Sequence, residues 1–295
     1  MHYFSGYLFT HMRIAHLLLT HEYNGQLERL VQKLRHADAD IYIHIDLKTP
    51  IELFAPLQTI PQVYFIQRRV KVYWGAFSMV QATLNGFAQI LSSGIEYGYV
   101  NLLSGQDYPL QPTEAIHAFF SQNPGKAFME YYPVNEVWTE AIPRITHYHL
   151  ANFTFAGRYA VERWMNKLLP QRKLPYHLIA VGRSQWFSIA NEQVRFIMDF
   201  VKSHPRYVSF FKLSWAPDEL FFQTILYNSI HAASMVNDNL RYVDWSDKKP
   251  SPKTFTIEDL VSLKTSGKLY GRKFNMKLDH AVLDRLDAPN SGIKG

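Results

Sequence analysis

The sequence predicts an α/β domain in which a mostly parallel sheet is flanked by helices within one compact unit. Three observations carry this expectation. Short apolar runs alternate with segments of helical period along the first two-thirds of the chain. Polar turns follow the ends of those runs. No internal repeat, low-complexity tract or interdomain linker breaks the 295 residues. Strand and helix at this spacing argue for right-handed βαβ units.

The elements follow in order. Residues 13–20 (RIAHLLLT) form an apolar run suited to a strand buried on both faces, with His16 as a hydrogen-bonded core residue. Leu27, Leu30, Val31 and Leu34 share one face of a helix. Residues 41–46 (IYIHID) alternate as a strand does, and 63–66 (VYFI) is a further strand. Ser78 with Gln81 three residues later reads as a capping box opening a helix that buries Val80, Leu84, Phe87, Ala88 and Leu91. Residues 97–103 are strand-like and end in the polar turn SGQDYP. The aromatic, basic stretch 131–175 has weak periodicity and is expected to wrap over the sheet and form part of a cleft. A strand over 186–189, a helix capped by Asn191, a helix opened by Pro217-Asp218-Glu219, a polar stretch over 246–256 and a final helix over 257–264 complete the pattern. Residues 1–11 are read as an extension outside the core, 12–280 as the domain and 281–295 as a tail.

Composition narrows the chemistry. With no cysteine, the chain has no disulfide, zinc-thiolate site, iron–sulfur cluster or thiol nucleophile. Thirty-one Lys and Arg stand against 25 Asp and Glu, a net charge of +6. That excess is local: residues 248–277 hold eight cations opposed only by Glu258 and Asp259, so the rest of the chain balances. A local basic run suits an anionic group such as a diphosphate, or an anionic membrane surface, better than nucleic acid. No G-x-G-x-x-G, G-x-x-x-x-G-K-[ST] or H-E-x-x-H pattern occurs. No apolar run reaches the ~20 residues of a spanning helix, and a cytoplasmic chain, peripheral at most at the inner face of a membrane, is expected.

Open α/β sheets bind ligands beyond the carboxyl ends of their strands. The segments Thr20-His21-Glu22, Asp46-Leu47-Lys48 and Ser104-Gly105-Gln106-Asp107 stand there. Each could instead cap a helix or satisfy a turn, but three at one edge would converge. Asp38-Ala39-Asp40 spells a metal-binding D-x-D, yet it precedes its strand; both acids are read as solvated turn residues at the opposite edge. At the correct end, Lys48 replaces the second carboxylate and disfavours a metal. Pro217-Asp218-Glu219 makes an ordinary helix start, or projects a general base against an apolar wall at Trp215 that would raise its pKa. Arg272-Lys273 lies between Tyr270 and Phe274, which marks anchored cations.

The order HLLLTHE, IYIHIDLK, VYWGAFSMVQA, YVNLLSGQDYPL, GRSQWFSIANEQV, WAPDELFFQT, RYVDW and GRKFNMKLD resembles glycosyltransferase family 14, the core-2/I-branching β-1,6-N-acetylglucosaminyltransferases and peptide O-xylosyltransferases, in a bacterial-type form. The resemblance spans residues 14–280 or so. It implies a GT-A-type, Rossmann-like fold and inverting transfer from a UDP-sugar, N-acetylglucosamine first and xylose as the alternative, with no metal cofactor. It implies Glu219, with Asp218 beside it, as the base; His21, Asp46, Lys48, Trp74 and Gly75 at the nucleotide; and Arg272 and Lys273 at the diphosphate, with Lys253 or Lys249 as an upstream partner. Gln106 and Asp107 would lie near the transferred sugar, and Glu130, Arg144, Trp215 and Trp245 near the acceptor. A saccharide or lipid-linked saccharide acceptor in cell-surface glycan or polysaccharide assembly is the matching expectation. The chain departs from the family's W-G-G element at Ala76. A non-catalytic carbohydrate- or anionic-lipid-binding protein is the competing reading.

Overall fold

A computed structural model describes residues 12–288; the 1–11 extension lies outside them. The chain begins with β1 (Ile14–Thr20), α1 (Gly25–Leu34), β2 (Ala39–Ile45), α2 (Ala55–Gln58), β3 (Val63–Phe65), α3 (Ser78–Ser92) and β4 (Tyr99–Ser104). A short β5 (Asp107–Pro109) and α4 (Thr113–Gln122) lead into β6 (Ala127–Pro133), α5 (Ile142–Thr146) and α6 (Arg158–Leu168). Then come β7 (Val181–Ala190), α7 (Asn191–Ser203), α8 (Pro205–Phe211) and α9 (Phe221–Tyr227). The chain closes with β8 (Met235–Val236), β9 (Arg241–Val243), α10 (Leu260–Thr265), β10 (Tyr270–Arg272) and α11 (Ala281–Asp287).

The main sheet has seven strands in the order β3-β2-β1-β4-β7-β6-β8. β3, β2, β1 and β4 run parallel, β7 runs antiparallel to both β4 and β6, and β8 is parallel to β6. This is the mostly parallel, Rossmann-type arrangement expected. The apolar run of β1 is explained by its central place: Ala15, Leu17 and Leu19 join the core on one face, and Ile14 and Leu18 join the core on the other. The first core contains α3, α7 and α9; the second contains α1, α4 and α11. In α1 the four predicted apolar residues are all buried, and Asn24 caps the helix by accepting from the Leu27 amide at 2.9 Å. A second sheet, β5-β10-β9, sets Arg272 opposite Asp107.

Several local expectations are corrected. Asp40 is not a solvated turn residue: it lies in β2, fully buried, and takes Arg13 at 2.6 and 2.9 Å and the Tyr97 hydroxyl at 2.7 Å. A buried carboxylate must be paired, and Arg13 at the foot of β1 supplies the pair. Ser78 makes no capping box; its hydroxyl accepts from the Tyr73 amide at 2.9 Å while Gln81 bonds Asn85. Ile90, rather than Ala88 or Leu91, fills the buried face of α3. Asn191 is the first residue of α7 and gives no side-chain cap. The start of the stretch 131–175 belongs to β6, whose pattern of apolar and polar residues is too irregular to read as a strand. Residues 281–287, placed in the tail, form α11, with Val282 and Leu283 buried and Asp287 paired to Arg29 at 2.5 Å.

Candidate active site

Because β1, β2 and β4 are parallel, their carboxyl ends open on one edge of the sheet, and β6 sends Glu130 to the same edge. Above it lies a cleft of about 1160 Å³. Of the sequence-predicted site residues, His21, Asp46, Lys48, Trp74, Gly75, Gln106, Glu130, Arg144, Trp215, Asp218, Glu219, Trp245, Arg272 and Lys273 all line it. The three loops at the strand ends therefore converge. His16 is the buried core residue expected, 3.3 Å from Asn101, and its pKa is pushed down to about 3, chiefly by burial.

Asp46 leaves β2 buried and turns back: its Oδ1 accepts from the Lys48 amide at 2.8 Å and its Oδ2 lies 3.3 Å from Lys48 Nζ. Lys48 also donates to the Val72 carbonyl at 2.6 Å and lies 4.9 Å above the Tyr73 ring. Next to it, Trp74 meets Trp215 edge-on with centroids 5.0 Å apart. Gly75, at φ +71°, permits this: a Cβ there would stand 2.7 Å from the Trp215 ring.

Pro217–Glu219 form a 3-10 turn rather than the first turn of an α-helix, and α9 starts at Phe221. Ala216 before it is left-handed, at φ +44°, and this reversal aims Glu219 at the cleft. Glu219 Oε2 pairs with Arg144 Nη1 at 2.5 Å, and that guanidinium lies 4.7 Å above the Trp138 ring. Asp218 is buried, its Oδ1 has no hydrogen-bond partner among the described residues, and its pKa is pushed up to about 7. Burial is the main cause and the charge of Glu219 the second; Arg144 opposes them. Burial also raises the pKa of Glu130, which Arg183 partly offsets from 4.0 Å.

Across the cleft, Arg272 donates to the Ser104 hydroxyl, reaches Asp107 at 3.1 Å and stacks 4.6 Å over Trp186. Lys273 Nζ donates to Ser251 at 2.7 Å, and its pKa is lowered by burial and by the neighbouring Arg272. Lys277 closes this side, paired with Glu22 at 2.7 Å.

Three expected site residues stand elsewhere. Asp107 is fully buried beneath Arg272, accepts from the Ser104 amide at 2.7 Å and does not line the cleft. Lys253 is tied to Asp259 at 2.6 Å outside the cleft wall, and Lys249 is tied to Asp247 at 3.0 Å. Residues the sequence reading missed include Trp138, Arg183 and Trp186, which line the cleft, and Gly182 behind it. A Cβ on Gly182 would stand 2.0 Å from the Glu219 carbonyl oxygen. A glycine inside a strand pattern is itself a signal of such a close approach. Among the described residues no group of three or more His, Asp or Glu is placed to hold a metal ion.

An α/β domain with a mostly parallel sheet and a large cleft over the carboxyl ends of its strands is the class that fold and site define. The chain belongs to the Core-2/I-branching enzyme family, whose model matches residues 14–265. It is similar to xylosyltransferase 2 of Mus musculus, with 26% identity over 307 residues covering 94% of this chain and 33% of the relative. The xylosyltransferase oxt of Drosophila melanogaster is 25% identical over 308 residues, again covering 94% and 33%. The chain thus spans about a third of the length of the curated relatives it matches. Among solved structures, apo mouse xyloside xylosyltransferase 1 aligns with a TM-score of 0.40 and 11% identity over 88% of this chain and 97% of that one.

Proposed function

We propose that this chain is an inverting, metal-independent glycosyltransferase that moves a sugar from a UDP-sugar to a saccharide hydroxyl. The observation that carries the reading is one cleft with an ion-paired carboxylate, Glu219, on one wall and the cations Arg272 and Lys273 on another. Glu219 takes the proton of the acceptor hydroxyl as its oxygen bonds to the anomeric carbon. The bond from that carbon to the diphosphate breaks, and the charge that leaves on UDP is met by Lys273 and Arg272. Arg144 holds the Glu219 carboxylate before the proton arrives. Asp46, Lys48, Trp74 and Gly75 form the nucleotide end, with His21 at its rim. Asp107 acts from beneath, by fixing the Arg272 guanidinium, rather than by touching the sugar.

The family resemblance favours N-acetylglucosamine as the transferred sugar, and the names of the relatives favour xylose. Release of UDP from UDP-N-acetylglucosamine and from UDP-xylose, each in EDTA and in Mn²⁺, separates the two donors and tests metal independence together. Equal rates in EDTA and Mn²⁺ are expected for the true donor. A chain that neither binds UDP nor turns over any UDP-sugar, but binds glycan, would favour the non-catalytic reading.

A further inference from the structure

α6 has no buried residue, although it is 11 residues long. At 100° per residue, Val161, Trp164 and Leu168 fall on one stripe, and all three point outward, 43%, 59% and 70% exposed. Lys167 borders the stripe beside Trp164, Arg163 follows next to it on the same side, and both are exposed. The opposite side carries the polar attachments. Asn166 bonds the backbone of Tyr148 in both directions, and Glu162 accepts from the Leu150 amide at 2.8 Å. Glu162 is the only acid between residues 153 and 179, and it is turned inward, 3.5 Å from His149. The outer face is therefore apolar and purely cationic.

We infer that α6 is an interfacial helix that seats the protein on an anionic lipid bilayer. Tryptophan and leucine on one face, with Lys and Arg beside them, match the composition that rests at the boundary of headgroups and acyl chains. Anionic headgroups complement Arg163 and Lys167. A second copy of this chain fits less well, because a two-fold contact would bring these cations toward one another. No described helix is long and apolar enough to cross a membrane, so α6 lies on the surface. The inference moves membrane contact away from residues 248–277, where Lys249, Lys253, Lys268, Arg272 and Lys277 are each ion-paired. It also ties the lipid surface to the cleft, since His149, which α6 holds through Glu162, lies 6.3 Å from the Trp215 ring. It stands independently of the reaction proposed above.

The test is sedimentation of the full chain with vesicles of phosphatidylcholine alone or mixed with phosphatidylglycerol. The chain should sediment with the mixed vesicles and not with phosphatidylcholine. W164S/L168Q and R163E/K167E should each lower the partition coefficient by roughly tenfold or more, since each surface cation alone contributes about fivefold. K264E, in the 248–277 run, should change it little, and the melting temperature of all variants should stay near that of the parent. Absence of binding to anionic vesicles, or equal loss in K264E, would overturn the proposal. So would a concentration-dependent dimer that W164S/L168Q abolishes.

Discussion

Glu219, Asp218 and Lys273 differ in environment, and the proposed reaction uses that difference. Glu219 is half-exposed and held by Arg144, open to the acceptor that the proposal gives it, whereas Asp218 one residue earlier is buried without a partner for Oδ1 among the described residues. The raised pKa of Asp218 has a consequence for stability. The folded carboxyl keeps its proton to about pH 7, whereas the unfolded one loses it near 3.8. Between those values the unfolded chain binds fewer protons, so stability falls as pH rises. Asp218→Asn removes that loss and should raise Tm by a few degrees at pH 8, and by less at pH 5, as thermal melts at the two pH values would read. An equal change at both would mean that Asp218 does not titrate in this range. At Lys273, substitution by Met should cut kcat by 10²–10³, about 2.7–4 kcal/mol. Steady-state kinetics with the true donor would measure it.

At the scale of elements, helices and central strands were legible because they carry period: α1 and β1 bury the residues their patterns named. The short second sheet was not legible, because three-residue strands such as β5, β9 and β10 pair only after distant segments meet. That sheet decides part of the site. The register of β10 against β5 puts Asp107 under Arg272, which no local reading of either segment contains. Lys253 shows the converse, since the family resemblance implied a place at the diphosphate while Asp259, six residues on, captured it. The Pro217–Glu219 turn likewise depends on β7 passing close behind it. Gly182→Ala would force the Glu219 carbonyl away from its place. Turnover should fall at least tenfold, and stability should drop by about 1–3 kcal/mol, the usual cost of overpacking. Wild-type turnover in that variant would show that the turn tolerates displacement.

For the whole molecule, the basic excess proves to be mostly paired: five of the eight cations in 248–277 have acidic partners, while Lys273 faces the cleft. Acid tolerance is set elsewhere. Burial pushes the pKa of His16 to about 3 and those of His44 and His117 to about 4. Each stays neutral in the folded chain while the unfolded chain takes up protons below about 6.5, so their contribution is intact above that value and is lost as pH falls toward 4. Denaturant midpoints should therefore drop between pH 7 and pH 5; a flat profile would contradict the burial of these rings. The central claim, that Glu219 is the base of a sugar-nucleotide reaction, is tested most directly by Glu219→Gln. With the active UDP-sugar in EDTA, turnover should fall by roughly 10²–10⁴, the span of general-base catalysis, while UDP affinity stays within about twofold. Near-wild-type turnover in Glu219→Gln would contradict the account.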